Sequence, residues 1–470
     1  MIPPPDSAHP DQASRANRWV FKILAAAIAC SLLVISAYLL TGTPVKRSIQ
    51  RTGWWIIPTL FKAEYRDDSL GPMSRAFLRV KSRDDGDIYG IFFDEGRKFQ
   101  YPPTSLLIFH VLPESWLSPE NFIQGPTYTK LAGPPLKYIR TASQLAILLT
   151  LATTAAILEI GIRRLRPEGE VNKAWRYARI GAVALLGLTF YPVIKAHQLG
   201  QIQVFLNALT ALGVLAHMLG WKVRSGFCLG VCCLIKPQYA VVVIWALVRC
   251  HWRLLTGFLI GVVPLGLVSL AVFGWENHMR YIDVIRKIAR LGESYWPNQC
   301  FNGFANRLLG NGDPVHFSAF EFAPYHPWVH LGTMITSLLI LGLAFFRRRP
   351  ANPTLDLAII IASATMASPV AWEHHYGAFL PLFAFALPLC LNPQLPVRRL
   401  GLMLGASFLA MGIAVIAPDS FFTSAWRSVA GSHLFFGAVL FFGLLLYLRR
   451  RSGNENPAPE SCPKTSSASS

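Results

Sequence analysis

Twelve apolar runs dominate the chain. They fall at about 19–40, 138–162, 178–195, 202–220, 225–236, 239–249, 254–274, 328–346, 355–371, 376–391, 400–417 and 433–448. A helix that crosses lipid needs roughly 20 apolar residues. Several runs are shorter, which suits helices broken or tilted around a cavity. The first run is too long for the core of a cleaved leader, and the Leu40-Thr41-Gly42-Thr43-Pro44 that ends it has no small-x-small cleavage pattern. The expected fold class is therefore an all-α polytopic membrane protein with about twelve transmembrane helices. Composition supports this. Hydrophobic residues make up 53% and charged residues 15%, with mean hydropathy +0.38. Soluble domains carry about 25% charged residues.

Lys plus Arg number 44 and Asp plus Glu 25, a difference of +19. An excess of this size suits either a nucleic-acid binder or a membrane protein with basic cytoplasmic loops. Position decides between them. The segment 101–117 is apolar but short and opens on Pro102-Pro103. If it lies on the outer surface as a helix without crossing, the basic residues fall into register. Arg15, Arg18 and Lys22, the cluster Arg163 to Arg179, Lys222 with Arg224, Arg249 with Arg253, Arg347 to Arg349, Arg398 with Arg399, and Arg449 to Arg451 then share one side. The excess is a topology signal, and no nucleic acid is expected.

The expected organisation is a cytoplasmic tail (1–18), a transmembrane domain (19–448) with outer loops 42–137 and 275–327, and a disordered cytoplasmic tail (449–470). The first outer loop is expected to carry helices lying on the membrane surface. The expected location is a bacterial inner membrane, with both termini cytoplasmic. Cys228, Cys232 and Cys233 cluster, but no His, Asp or Glu lies beside them in sequence, so they read as packing residues. No metal and no cofactor is expected.

Polar residues interrupt this pattern in five places. They are Asp84, Asp85 and Asp87; His197, Gln198, Gln201, Gln203 and Asn207; Lys236-Pro237-Gln238; Asn298, Gln299, Asn302, Asn306 and Arg307; and Trp372, Glu373, His374, His375 and Tyr376. Ionisable groups at membrane depth are costly and mark function by default. A topology drawn only from the inner Lys and Arg places all five clusters on one face. An Asp beside an apolar surface suits a general base, and a solvated acidic loop is the plainer reading. Lys236 sits where Pro237 ends a helix, which suits a phosphate or a lysine reaching the headgroups. Glu373-His374-His375 lacks the H-E-x-x-H spacing of a zinc protease. Acid–base chemistry or phosphate contact fits it better. The amides suit sugar hydroxyls or contacts between helices.

In order, Asp85-Gly86-Asp87-Ile88-Tyr89, Phe99-Gln100-Tyr101-Pro102-Pro103, Gly200-Gln201 through Asn207, Lys236-Pro237-Gln238, Asn298-Gln299-Cys300-Phe301-Asn302-Gly303 through Arg307, and Ser368-Pro369-Val370-Ala371-Trp372-Glu373-His374-His375 resemble glycosyltransferase family 87. These are polytopic enzymes of the GT-C class that include polyprenol-phosphate-mannose-dependent α-mannosyltransferases. The resemblance implies a GT-C-like fold and transfer of a sugar, mannose first and a pentose second, from a polyprenyl-phosphate donor to a lipid or glycan acceptor on the outer face, with inversion. It implies a carboxylate base in the first outer loop, Asp85 first and Asp87 in reserve. It gives Lys236, Arg307, His374 and His375 to the leaving phosphate. Tyr89, Tyr101, Gln201, Asn207, Gln238, Asn298, Gln299, Asn302, Trp372 and Glu373 would bind sugar and acceptor. Glu373 stands where the family more often has Asp. The competing reading is a secondary transporter or flippase, which predicts charges within spans and pseudo-symmetric halves. The polar motifs here sit at one face, and the loops are unequal.

Overall fold

The computed structural model describes residues 12–40, 42–45, 68–82, 86–116, 122–124, 129–131, 133–165, 172–346, 352–413 and 429–452, and every structural statement concerns these. The helices are α1 (Gln12–Leu40), α2 (Leu70–Ser82), α3 (Gly133–Leu165), α4 (Lys173–Thr189), α5 (Tyr191–Gln198), α6 (Gln203–Met218), α7 (Lys222–Ile235), α8 (Val241–Val248), α9 (Trp252–Leu291), α10 (Phe301–Leu308), α11 (Pro327–Phe345), α12 (Pro353–Met366), α13 (Phe379–Cys390), α14 (Val397–Gly412) and α15 (His433–Ser452). Among the described residues each of the twelve apolar runs contains helix, though the 355–371 run leaves it after Met366.

Five helical stretches are long and apolar enough to cross a membrane: Ser14–Leu40, Pro135–Arg164, Trp252–Leu291, Pro327–Phe345 and His433–Ser452. The α4–α5 pair, bent by 54°, makes a sixth if it counts as one broken span. The chain is thus a multi-pass membrane protein. The break falls at Phe190-Tyr191-Pro192, where Pro192 opens α5 and has no backbone N–H to continue α4.

Two details differ from expectation. The 254–274 run does not end where its apolar residues end. Helix continues to Leu291 across a break at Gly274 (φ +73), a conformation that favours glycine. Between Tyr101 and Trp116 there is no continuous surface helix, only 3-10 turns at Pro103–His110 and Glu114–Trp116. The fold is all-helical but for one short pair, Phe122–Gln124 antiparallel to Thr129–Leu131. The first described helix starts at Gln12 and the last ends at Ser452.

Helices α12 and α13 form the centre, and nearly every residue in them is buried. Asn352 starts α12 by accepting from the backbone N–H groups of Thr354 and Leu355, at 3.1 and 3.0 Å, with Pro353 at the first turn. Helices α7 and α9 meet backbone to backbone. A Cβ on Gly226 would lie 1.9 Å from the Leu254 carbonyl, and one on Gly257 1.9 Å from that of Val223. Small residues permit such close crossings in lipid.

Two ends of the bundle differ in chemistry. At one end Asp356 accepts from Arg249 Nε at 2.9 Å, Arg449 at 3.0 Å and Trp245 at 2.7 Å. Arg449, expected in a disordered tail, is 5% exposed there. At the other end lie Lys236 and His375, separated from it by the helical stretch Pro237–Ala240 and Val241–Val248. A second apolar core caps that end. Met73, Phe77, Ile88, Tyr89, Phe92, Phe99 and Leu106 from the segment between α1 and α3 pack with Phe273 and Val284 of α9.

Candidate active site

Two loops pair to build the base of the site. The backbone N–H of Gln299 donates to the Ala371 carbonyl at 2.8 Å, and that of Glu373 to the Pro297 carbonyl at 2.9 Å. Asn298 ties both loops, accepting from Ala371 N–H at 3.0 Å and donating to the Glu293 carbonyl at 2.8 Å. A 3-10 turn, Glu373–Ala378, follows. It lies close over α6, since a Cβ on Gly377 would strike the Asn207 amide at 2.2 Å.

Two cavities meet at Gln100 and Tyr101. The first, about 210 Å³, is lined by Asp68, Arg75, Arg97, Lys98, Lys195, Gln201, Tyr295, Trp296, Phe317, Trp372, Glu373 and His374, among others. The second, about 340 Å³, is lined by Lys236, Gln238 and His375 within an apolar wall that includes Val241, Ile285, Ile288 and Leu341. The adjacent histidines thus part: His374 faces the first cavity, His375 the second. Their rings are nearly perpendicular, at 88°.

A buried hydroxyl fixes Asp68. Ser69 Oγ donates to Gln201 Oε1 at 2.6 Å, accepts from Ile202 N–H at 3.0 Å and lies 2.7 Å from the Tyr101 hydroxyl. Gln201 Nε2 donates to Asp68 Oδ2 at 3.3 Å, and Asp68 N–H donates to the Leu199 carbonyl at 2.8 Å. Glu373 accepts from the Tyr191 hydroxyl at 2.7 Å and faces Lys195 Nζ at 3.4 Å. Burial raises its pKa above the usual carboxylate range, opposed by Lys195 and the tyrosine hydrogen bond. Lys236 Nζ contacts His375 Nε2. Burial first, then the Lys236 charge, hold both imidazoles well below the usual histidine range. They are neutral at pH 7.

The remaining candidates fall elsewhere. Asp85 lies outside the described residues. Asp87 lines neither cavity, and its carboxylate accepts from Arg280 at 2.7 Å and from Tyr89 N–H at 2.9 Å. Tyr89 donates to the Tyr101 carbonyl at 2.8 Å behind the cavity wall. Arg307 also lines neither cavity. It donates to the Asn298 carbonyl at 3.0 Å and Ser432 Oγ at 2.8 Å. Gln299 donates to the Trp296 and Gly431 carbonyls, both at 2.7 Å. Asn302 accepts from Glu293 N–H at 3.0 Å, and Asn207 from Gln203 Nε2 at 2.9 Å. These amides hold loops and helices together. Asp68, Arg75, Arg97, Lys98 and Lys195 are additions from the structure. Asp67-Asp68 and Lys195 near His197 were visible signals. Among the described residues no group of three His, Cys, Asp or Glu is placed to hold a metal.

The model of glycosyltransferase family 87 matches residues 99–370. The chain belongs to glycosyltransferase family 87. It is a membrane glycosyltransferase; the second cavity is bounded almost wholly by the matched region, whereas Asp68, Arg75, Arg97, Lys98, Glu373 and His374 of the first lie outside it. The chain is also similar to a polyprenol-phosphate-mannose-dependent alpha-(1-2)-phosphatidylinositol mannoside mannosyltransferase of Mycolicibacterium smegmatis. The two are 25% identical over 393 residues, which are 77% of this chain and 79% of the relative.

Proposed function

We propose that this family 87 enzyme transfers one sugar, mannose first, from a polyprenyl-phosphate donor to a lipid or glycan acceptor. The site faces the outer side of a bacterial inner membrane. In this reading residues 19–448 form a GT-C-like domain of about twelve spans with cytoplasmic termini. The observation that carries it is the division of the site at His374 and His375. One cavity has an apolar wall and the buried Lys236 amine beside His375, which suits a prenyl chain ending in phosphate. The other has two carboxylates, four basic side chains, amides and aromatic rings, which suits sugar hydroxyls.

The chemistry is a single displacement. The acceptor hydroxyl oxygen attacks the anomeric carbon, the bond from that carbon to the phosphate oxygen breaks with its electron pair, and the configuration inverts. Asp68 takes the hydroxyl proton. Two described carboxylates line the cleft; Glu373 is engaged by Tyr191 and Lys195, and Gln201 orients Asp68. Asp87, with its carboxylate on Arg280, takes a structural role. Lys236 and an N–H of neutral His375 stabilise charge developing on the departing phosphate. Tyr101, Gln201 and Trp372 contact the sugars, and Gln238 lies beside the phosphate. Arg307, Asn298, Gln299 and Asn302 position the loops.

The test is turnover by the purified full chain in nanodiscs. It would be given labelled polyprenyl-phosphate mannose, other polyprenyl-phosphate sugars, or GDP-mannose, with lipid and glycan acceptors. Transfer from a polyprenyl-phosphate sugar and none from the nucleotide sugar is expected. Transfer from the nucleotide sugar alone would overturn the proposal.

A further inference from the structure

We infer that Ser69 is a positioning residue for the transfer reaction. Its hydroxyl fixes which way the Gln201 amide points, and so keeps Asp68 as the ionised carboxylate that can take a proton. The inference rests on the proposed reading of Asp68 as the base, and adds a residue to it.

Ser69 stands where a helix is normally capped. Its carbonyl accepts from Met73 N–H at 3.1 Å, the first turn of α2. A serine there usually turns its side chain back to the free N–H groups of its own helix. Ser69 does not. Its Oγ meets three groups from other segments: Gln201 Oε1 at 2.6 Å, Ile202 N–H at 3.0 Å and the Tyr101 hydroxyl at 2.7 Å. A side chain that leaves its own helix for a distant loop breaks a local rule, and such breaks gather at functional sites.

Counting protons shows what the loop gains. A serine hydroxyl has one proton and two lone pairs, and a side-chain amide has donors on nitrogen and lone pairs on oxygen. Ile202 N–H can only donate, so it takes one lone pair of Ser69. The Tyr101 hydroxyl donates to the other or to Gln201 Oε1 itself, 3.3 Å away. The Ser69 proton goes to Oε1. With its oxygen held there, the amide presents Nε2 to Asp68 Oδ2 at 3.3 Å. The reverse orientation would set Oε1 against an ionised carboxylate, two acceptors face to face. It is satisfied only when Asp68 carries a proton, and a protonated Asp68 cannot take one from the acceptor hydroxyl. Ser69, Tyr101 and Gln201 are all buried, so these partners set the orientation in place of solvent. Asp68 shares the cleft with other charges: Arg75 from α2, Arg97 and Lys98 from the run before Tyr101, Lys195 from α5, and Glu373 with His374 from the 3-10 turn. Tyr101 and Tyr295 also titrate there. All of them stay in place in the variants below, so a change in Asp68 titration reports the amide.

The test titrates Asp68 in the full chain in nanodiscs, by pH-dependent infrared difference spectra of the carboxyl band with Asp68→Asn as the blank. A hydrogen bond to the ionised form lowers a carboxyl pKa. Ser69→Ala should therefore raise the Asp68 midpoint by about one pH unit, the scale of one hydrogen bond to a charged group. Ser69→Thr, which keeps the hydroxyl, should stay near the parent. Gln201→Leu should show the same rise as Ser69→Ala. Ser69→Ala/Gln201→Leu should rise no further than Gln201→Leu, since Ser69 acts through the amide. Turnover from labelled polyprenyl-phosphate mannose to octyl mannoside should show its acid limb moved to higher pH by the same amount. Melting curves check that each variant folds; a merely structural serine would lower the melting temperature and leave the midpoint where it was. An unmoved midpoint in Ser69→Ala would overturn the inference, and Gln201→Leu decides in the same way if Ser69→Ala does not fold. A double variant that shifts by the sum of the singles would also overturn it. A shifted midpoint with an unmoved acid limb would instead strike the reading of Asp68 as the base, and this inference with it.

Discussion

Replacing Arg307 by Ala separates two roles that one motif allows. The guanidinium is 3% exposed and donates to the Asn298 carbonyl at 3.0 Å and to Ser432 Oγ at 2.8 Å. Longer contacts reach the Ser294 and Tyr295 carbonyls at 3.4 Å and add little at that length. Hydrogen bonds from a charged group each contribute about 1.5–3 kcal/mol, and a buried carbonyl left unpaired costs more. The loss should be about 3–5 kcal/mol, which lowers the melting temperature by roughly 5–10 °C. The assay is thermal unfolding in detergent, followed by intrinsic fluorescence, beside turnover at several donor concentrations. Arg307→Lys should fall between parent and Ala. An unchanged melting temperature with a raised donor KM would refute the reasoning and return Arg307 to the leaving phosphate.

Other outcomes follow from the same geometry. Lys236→Met should lower kcat/KM for the donor by about 10²-fold, the scale of removing one donor that faces developing charge, while acceptor KM stays within about threefold; steady-state kinetics in both substrates checks this. Stability should fall on acidification below the ordinary histidine pKa, about 6.5. Unfolded imidazoles bind protons there, whereas buried His374 and His375 stay neutral. The loss is about 1.4 kcal/mol per pH unit for each imidazole. The measurement is the pH dependence of the melting temperature, which His374→Asn/His375→Asn should flatten between pH 7 and 5.5.

The membrane class was legible because twelve apolar runs leave few other folds, and among the described residues each contains helix. The ends were less legible. Apolar patterning stops near 274, but the backbone of α9 carries on to Leu291 because Gly274 absorbs the break. Lys236, His374 and His375 stood out because charge interrupts apolar sequence there. Asp68 did not, since the segment between α1 and α3 also offers Asp67, Asp84, Asp85, Asp87, Asp94 and Glu95. No periodicity ranks these, and the Ser69–Tyr101–Gln201 contacts that fix Asp68 span 132 residues. Asn298, Asn302 and Arg307 show the converse. A buried amide or guanidinium bound to its own loop has the same residue type as one that holds a ligand, and only its partners tell the two apart.

The most direct test of the central claim is turnover from polyprenyl-phosphate mannose by the parent and by Asp68→Asn, Asp85→Asn and Asp87→Asn, each checked for melting temperature. The account predicts that Asp68→Asn alone loses about 10²–10⁴-fold in kcat, with donor KM within about threefold. Near-parental turnover by Asp68→Asn, with the loss in Asp85→Asn or Asp87→Asn, would contradict it.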